Sequence, residues 1–382
     1  MFNRSKKEFA QFDWLLLLAV LGLSLCGFFV VFSATASRGG QWHALKSQFA
    51  ATAIGLLFIV VFQFVDADYL KKLAFPAYGA AIFLLVSTML FGIGEDAWGA
   101  RSWLRLGPIT FQPSEFAKIA IMLAMAMLLE RYQHRMNKIT TILLLAAIMG
   151  VPILLILKQP DFGTAAVFVF FLALMIFYAN IHWGYILAAL VVVIVATPLF
   201  YQHLTPMQQD RILNFFNPMR DIMGSGYQTY QGLIAIGSGQ LFGKGFLKGT
   251  QTQFGFIPER DTDYIFAVLA EEFGFIGGLL LILLYAIVLV RILRIAKRAK
   301  DMFSASFCVG VAAMLFIHIF ENIGMTIGLM PLTGIPLPFL SNGGTFQLIN
   351  MICIGLVLCI SSQRLPLDFG ADPPAVSPVL RQ

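Results

Sequence analysis

The chain has 382 residues, 59% of them hydrophobic and only 12% charged, with a mean hydropathy of +0.81. Soluble domains carry charge on about a quarter of their residues, so this composition excludes a soluble globular protein and indicates an integral membrane protein. The net charge of +6 is no sign of nucleic-acid binding, because Lys and Arg cluster at the ends of apolar runs in a topological pattern.

Residues 1–8 are polar and basic and lead into an apolar run, 14–32, that is too long for a signal-peptide core and is read as a retained first span. Further apolar runs predict spans at 49–65, 73–91, 116–129, 139–157, 163–178, 186–201, 264–290, 303–330 and 346–360. Each is of the order of the roughly 20 residues that cross a bilayer core, and no alternating segments suggest a β-barrel. The expected fold is therefore all-α, with about ten transmembrane helices and both termini on one side. Taking that side as cytoplasmic, the inner segments hold fifteen Lys and Arg, and the short outer loops hold five: Arg38, Lys46, Arg101, Arg105 and Lys158. The threefold bias obeys the positive-inside rule. It places one long loop, 202–262, between helices 7 and 8 outside the membrane. Residues 1–364 are expected to form a single polytopic domain, and 365–382, with Pro366, Pro373, Pro374 and Pro378, a disordered cytoplasmic tail. Cys26, Cys308, Cys353 and Cys359 lie in apolar runs without Cys-x-x-Cys spacing and read as packing residues.

Loops as long as 202–262 are usually functional. Residues 227–236 alternate polar and apolar side chains at helical spacing, as an interfacial or re-entrant helix does. The glycine-rich stretch 237–245 does not fit a P-loop, because Gly239 and Gly243 enclose three residues where four are required, and Gly245 replaces the hydroxyl after Lys244. From Glu259 to Glu272, six charged residues fall within fourteen positions. A helix starting near Thr262 puts Asp263, Ala267, Ala270, Gly274 and Gly277 on one face. Asp263 then either caps the helix with Asp261 and Thr262 or heads a stripe of small side chains that admits another helix or a lipid chain. Because 273–290 alone spans a bilayer, residues 264–272 can instead form a juxtamembrane turn of helix in a wet cavity.

Other polar residues stand out against the apolar background. Pro113 suits the first turn of the fourth span, where Glu115 and Lys118 share a face and can pair. Such a pair either makes two charges tolerable or presents Lys118, with Arg101 and Arg105, to an anionic group. Asp161 lies in a very short turn, where it is a turn former or a ligand for a sugar hydroxyl or metal. The two prolines and Gly-Gly pair of 334–345 forbid a regular helix, so that stretch should line protein or a watery cavity. Glu321 is an intramembrane carboxylate that must face inward.

These residues carry a resemblance. Gln112-Pro-Ser-Glu-x-x-Lys118, Gln159-Pro-Asp-x-Gly163, Ile234-Ala-Ile-Gly-Ser-Gly239, Gly243-Lys-Gly245, Pro258-Glu-Arg-Asp-Thr-Asp-Tyr-Ile-Phe-Ala267 and Pro336-Leu-Pro338 resemble the motifs of the SEDS proteins (shape, elongation, division and sporulation), most closely the cell-elongation branch. The match runs in order from about Phe12 to Arg364. Two departures are visible: Ser341-Asn-Gly-Gly344 where the family commonly reads Ser-Tyr-Gly-Gly, and Ser102 directly before Trp103 where it often has Arg.

The resemblance implies a peptidoglycan glycosyltransferase in the cytoplasmic (inner) membrane of a bacterium, polymerising lipid II on the outer face. Implied partners are a class B penicillin-binding protein, elongation-complex membrane proteins, and lipid II with its undecaprenyl-linked glycan, and no nucleic acid. The family's essential aspartate falls on Asp263. An α-linked donor and a β-1,4 product mean inversion, for which one general base suffices. Asp263 is the expected base, with Arg101, Lys118, Lys244 and Lys248 on the departing pyrophosphate and Glu115, Asp161 and Glu321 lining the substrate. A divalent cation, Mg or Mn, on Asp263 or Asp161 can share that task, and no organic cofactor is expected. A lipid-linked oligosaccharide flippase or a non-catalytic scaffold for a cell-wall synthase are the alternatives.

Overall fold

The computed structural model describes residues 11–39, 41–94, 101–107, 109–188, 206–217 and 226–363, together with 191, 195, 221, 223 and 224. Six helices precede the long loop region: α1 (Trp14–Ala36), α2 (Gln41–Phe62), α3 (Ala67–Phe91), α4 (Pro113–Tyr132), α5 (Ile139–Leu157) and α6 (Phe162–Tyr178). Then come α7 (Pro206–Phe216), α8 (Tyr227–Gly239), the short α9 (Thr250–Gln253), α10 (Ile265–Lys297), α11 (Met302–Thr326) and α12 (Gly344–Ser362). Nine of the expected spans are thus present among the described residues. The tenth, 186–201, lies outside them from residue 189 onward save for 191 and 195, as does the expected disordered tail.

Among the described residues, seven helices are long and apolar enough to cross a membrane by themselves. α4 carries Glu115, Lys118, Glu130 and Arg131, and 15 of its 20 residues are buried. Protein rather than lipid surrounds it, so its charges need protein partners. α11 is the second buried helix, and Gly310 on it admits the sulfurs of Met122 from α4 and Met175 from α6. α12 lies along α2, where Gly55 faces Met351 and Gly355 faces Ile59 and Phe62. At the end of the bundle away from the long loop, Asp13 caps α1 and binds Arg291 at 2.6 Å, while Lys71 bridges Glu130 (2.8 Å) and Asp301 (3.0 Å).

Three features fill in what the sequence left open. The 202–262 stretch carries helices α7, α8 and α9, of which α8 is the one read from 227–236. The segment before α4 is a small antiparallel hairpin, Leu104–Leu106 with Ile109–Phe111, because Gly107 takes the left-handed turn (φ +64°). The third concerns α10, which is two helices broken at Gly274 (φ 66°, ψ −164°).

At that break the glycine loop docks and satisfies the released peptide groups. Phe275 N and Ile276 N donate to the carbonyls of Gln240 and Leu241 at 2.8 and 3.1 Å, and Lys244 N and Gly245 N donate to Glu271 and Glu272 at 3.0 and 2.9 Å. Residues 265–272 are all buried, so the first arm of α10 sits in protein and not in a wet cavity. Beyond the break, Phe275, Leu279, Leu280 and Leu283 are exposed as a lipid-facing surface. The small-residue stripe is filled as well: Gly239 of α8 lies against the Ala270 carbonyl and Gly274 against Leu241 and Gly243, leaving no groove for a lipid chain.

A Cβ at Gly274 would lie 2.6 Å from the Leu241 carbonyl and would have to adopt a positive φ. Gly274→Ala is therefore expected to cost about 2 kcal/mol or more, visible as a lower thermal unfolding midpoint in detergent, whereas Gly79→Ala, which meets nothing within 4 Å, should leave it unchanged.

A clamped carboxylate at the end of the bundle

Asp263 is not a helix cap. Tyr264 occupies the cap position of α10 and no side-chain cap bond forms. Instead the backbone around Asp263 is gripped at three consecutive carbonyls. Asn342 N donates to Asp261 O at 2.8 Å, Ser341 Oγ to Thr262 O at 2.6 Å, and Asn322 Nδ2 to Asp263 O at 2.9 Å. The same Asn322 amide donates to Ile335 O at 2.8 Å.

Neighbouring charges are committed elsewhere. Asp261 takes Arg38 at 3.2 Å and Asn342 Nδ2 at 3.0 Å. Arg260, 1% exposed, donates to Ala34 O, Thr252 O and Ser37 Oγ at 2.6 Å each, which ties the segment to α1 and α9. The departure at Asn342 thus has a local role, since its side chain holds Asp261. The Asp263 carboxylate is half-buried and faces Gly334, where a Cβ would lie 3.4 Å from Oδ2. Burial, and next the negative charge of Glu259, push Asp263 up to about 7, against the opposing charge of Arg211 on α7.

Residues 333–336 gather most of the other candidates. Asp161 caps α6, accepting Thr164 N at 3.0 Å and Ser102 Oγ at 3.2 Å. Two positions on, Gly163 lies so close to the irregular segment 333–338 that a Cβ would sit 2.8 Å from Thr333 O. Glu321 is buried near Thr333, and its Oε2 has no partner among the described residues. Lys118 pairs with Glu115 at 2.8 Å, approaches His318 Nε2 at 2.9 Å, and sits 5.4 Å from the centre of the Phe346 ring. His318 Nδ1 lies 3.2 Å from Pro336 O.

Lys118 is 1% exposed, so it is an internal cation and does not face a surface anion as the sequence suggested. Lys244 is likewise held inward by Glu271 at 2.8 Å. Glu271 also accepts the N–H groups of Gln251 and Thr252 and the Thr252 hydroxyl, and so caps α9. Glu272 accepts from Ser33 of α1. Both glutamates hold the glycine loop. Lys248 and Arg101 are exposed, Arg101 being next to the Ser102 that reaches Asp161.

Sequence reasoning missed Arg211, Asn322 and His318. The last two carried a usable signal, being polar residues four apart on an intramembrane helix and therefore on one face. Among the described residues no group of three or more His, Cys, Asp or Glu is arranged to hold a metal alone.

Together the fold and the site define a multi-pass helical membrane protein that holds a half-buried carboxylate, Asp263, on clamped backbone at the end of its bundle. The chain matches the cell cycle protein family of FtsW, RodA and SpoVE over residues 13–365, and it belongs to that family, the SEDS proteins its motifs resemble. Peptidoglycan glycosyltransferase MrdB of Escherichia coli (strain K12) is 37% identical over 370 residues, covering 96% of this chain and 98% of the relative. Stage V sporulation protein E of Bacillus subtilis (strain 168) is 35% identical, with 91% and 96% covered. Among solved structures, a chain from a peptidoglycan synthase complex studied for its coordination of polymerization and crosslinking superposes with a TM-score of 0.79, at 31% identity over 92% of this chain and 98% of that one. Rod shape determining protein RodA of Thermus thermophilus superposes at 0.70, with 30% identity over 93% and 98%.

Removing one partner of a buried ion pair leaves an uncompensated charge, at a cost of about 3–5 kcal/mol. Glu115→Ala should therefore lower the thermal midpoint sharply, and the double variant Glu115→Ala/Lys118→Met, which removes both charges, should recover much of the loss.

Proposed function

We propose that the chain is a peptidoglycan glycosyltransferase that polymerises lipid II during cell elongation, with Asp263 as general base. The observation that carries this reading is the placement of Asp263: a half-buried carboxylate, pushed up to about 7 by burial and by Glu259, on backbone fixed at three successive carbonyls. A general base works best with a pKa near the ambient pH, and an ordered backbone keeps its reach constant. The relatives named peptidoglycan glycosyltransferase support the reaction class.

In this reading Asp263 takes the proton from the 4-hydroxyl of the acceptor sugar as that oxygen attacks C1 of the lipid-linked donor. The pyrophosphate leaves from the opposite face, and the configuration inverts. Arg211 lies within electrostatic range of Asp263, and with Arg101 and Lys248 it supplies positive charge for the leaving group. Lys118 and Lys244, bound inward, do not. As an alternative to acting as base, Asp263 would be the residue to hold a divalent ion, Mg or Mn, with the negative charges of Glu259 and Asp261 nearby. When bound, it would supply charge neutralisation at the pyrophosphate.

The loop-bearing end faces out of the inner membrane, as the fifteen-to-five bias of basic residues requires. A class B penicillin-binding protein supplies crosslinking. The solved synthase complex, which couples polymerization with crosslinking, supports that partnership.

The test is synthesis of glycan strands from lipid II and a divalent cation by the purified chain with a transpeptidase-inactivated partner. Wild type makes polymer, and Asp263→Asn loses about 10²- to 10⁴-fold of the rate. A wild type that makes none would point to the flippase reading, and an active Asp263→Asn to the scaffold. The base acts ionised, so the rate rises with pH through a limb near 7 and then levels. Arg211 lowers the Asp263 pKa, so Arg211→Gln should move that limb to higher pH.

A further inference from the structure

We propose that His318 is a positioning residue for this glycosyl transfer, holding the proline-bearing segment 335–338 in place beside Asp263 through its bond to Pro336 O. The kinetic half of the proposal rests on the glycosyltransferase reading; the structural half stands alone.

His318 is 2% exposed, and both ring nitrogens are used. Lys118 Nζ lies 2.9 Å from Nε2, and Pro336 O lies 3.2 Å from Nδ1. An ammonium only donates and a carbonyl only accepts. The ring is therefore neutral, with its proton on Nδ1, and it points one way, from the Glu115–Lys118 pair on α4 to the segment.

The segment 335–338 needs such support. Pro336 and Pro338 have no N–H and cannot hold a ladder, so its carbonyls are held by side chains: Ile335 O by Asn322, Pro336 O by His318, and Pro338 O by Tyr285 at 2.5 Å. His318 and Asn322 are one turn apart on α11, and Asn322 also holds Asp263 O. Each displacement of Pro336 is thus shared by the amide that orients the base. An apolar side chain would fill the His318 site without burying a polar ring, so its presence is accounted for by the two bonds it makes.

The test compares His318→Phe, which keeps a ring and loses both bonds, with His318→Asn, whose amide nitrogen stands at the Nδ1 place and still donates to Pro336 O. Full-length protein with its transpeptidase-inactive partner is assayed for kcat and KM with lipid II. His318→Phe should lose about 10- to 100-fold in kcat with KM within about twofold, and His318→Asn should return most of it. Hydrogen exchange is followed in parallel on the peptide holding Leu337 and Asn342, whose amides close the clamp. Exchange should quicken by about tenfold in His318→Phe and slow again in His318→Asn.

If His318→Phe does not fold, His318→Gln, which keeps the Lys118 bond and loses the Pro336 bond, replaces it in both measurements. Unchanged kcat, a loss carried by KM, unchanged exchange, or failure of His318→Asn to restore either quantity overturns the proposal. If wild type makes no glycan, the glycosyltransferase reading fails by itself, and the exchange arm alone decides for or against His318.

Discussion

Peptide groups away from water must find partners, and the arrangement around Asp263 follows from how two pieces of non-helical backbone meet that demand inside the bundle. One is the break at Gly274, whose freed groups are taken by the glycine loop. The other is the proline-bearing segment 335–338, whose carbonyls are taken by Asn322, His318 and Tyr285. Between them lies 261–263, short enough that each of its carbonyls receives a donor from the 335–338 side. The 261–263 segment is held at every carbonyl because unpaired backbone there would be costly.

Charge inside the bundle obeys the same rule. Glu115, Lys118 and His318 form a buried set near the start of α4, and Glu271 spends its carboxylate on Lys244 and on α9. Arg260 is buried yet satisfied by three acceptors. These groups are structural cations and anions, each neutralised locally. Asp263 differs: acidic neighbours and burial raise it, and Arg211 only partly opposes them. A carboxylate left poised while its neighbours are paired is the arrangement expected of a group that handles protons.

Much of this was legible in the residues. The apolar runs located nine described spans, Pro113 marked the start of α4, and the Glu115–Lys118 spacing announced a pair that is formed at 2.8 Å. Gly274 and the eighteen apolar residues from 273 to 290 already allowed a second start for α10. What spacing did not disclose was occupancy. The stripe of Ala267, Ala270 and Gly274 accommodates a helix or a lipid equally well in a linear sequence, and α8 and the glycine loop take it. Lys118 and Lys244 looked like surface cations because nothing in the chain order brings His318 or Glu271 beside them.

By itself, then, the sequence determined the membrane class, the placement of helices and the polar residues that lipid would not tolerate, because hydropathy, helical period and the cost of intramembrane charge are local properties. Tertiary structure alone decided which of those polar residues face each other. Asp263 is separated from Asn322 by 59 positions and from Arg211 by 52, and only the folding back of α11, the 335–338 segment and α7 makes them neighbours. Partners so far apart in the chain are chosen by packing and by the need to satisfy buried groups, which no local pattern encodes.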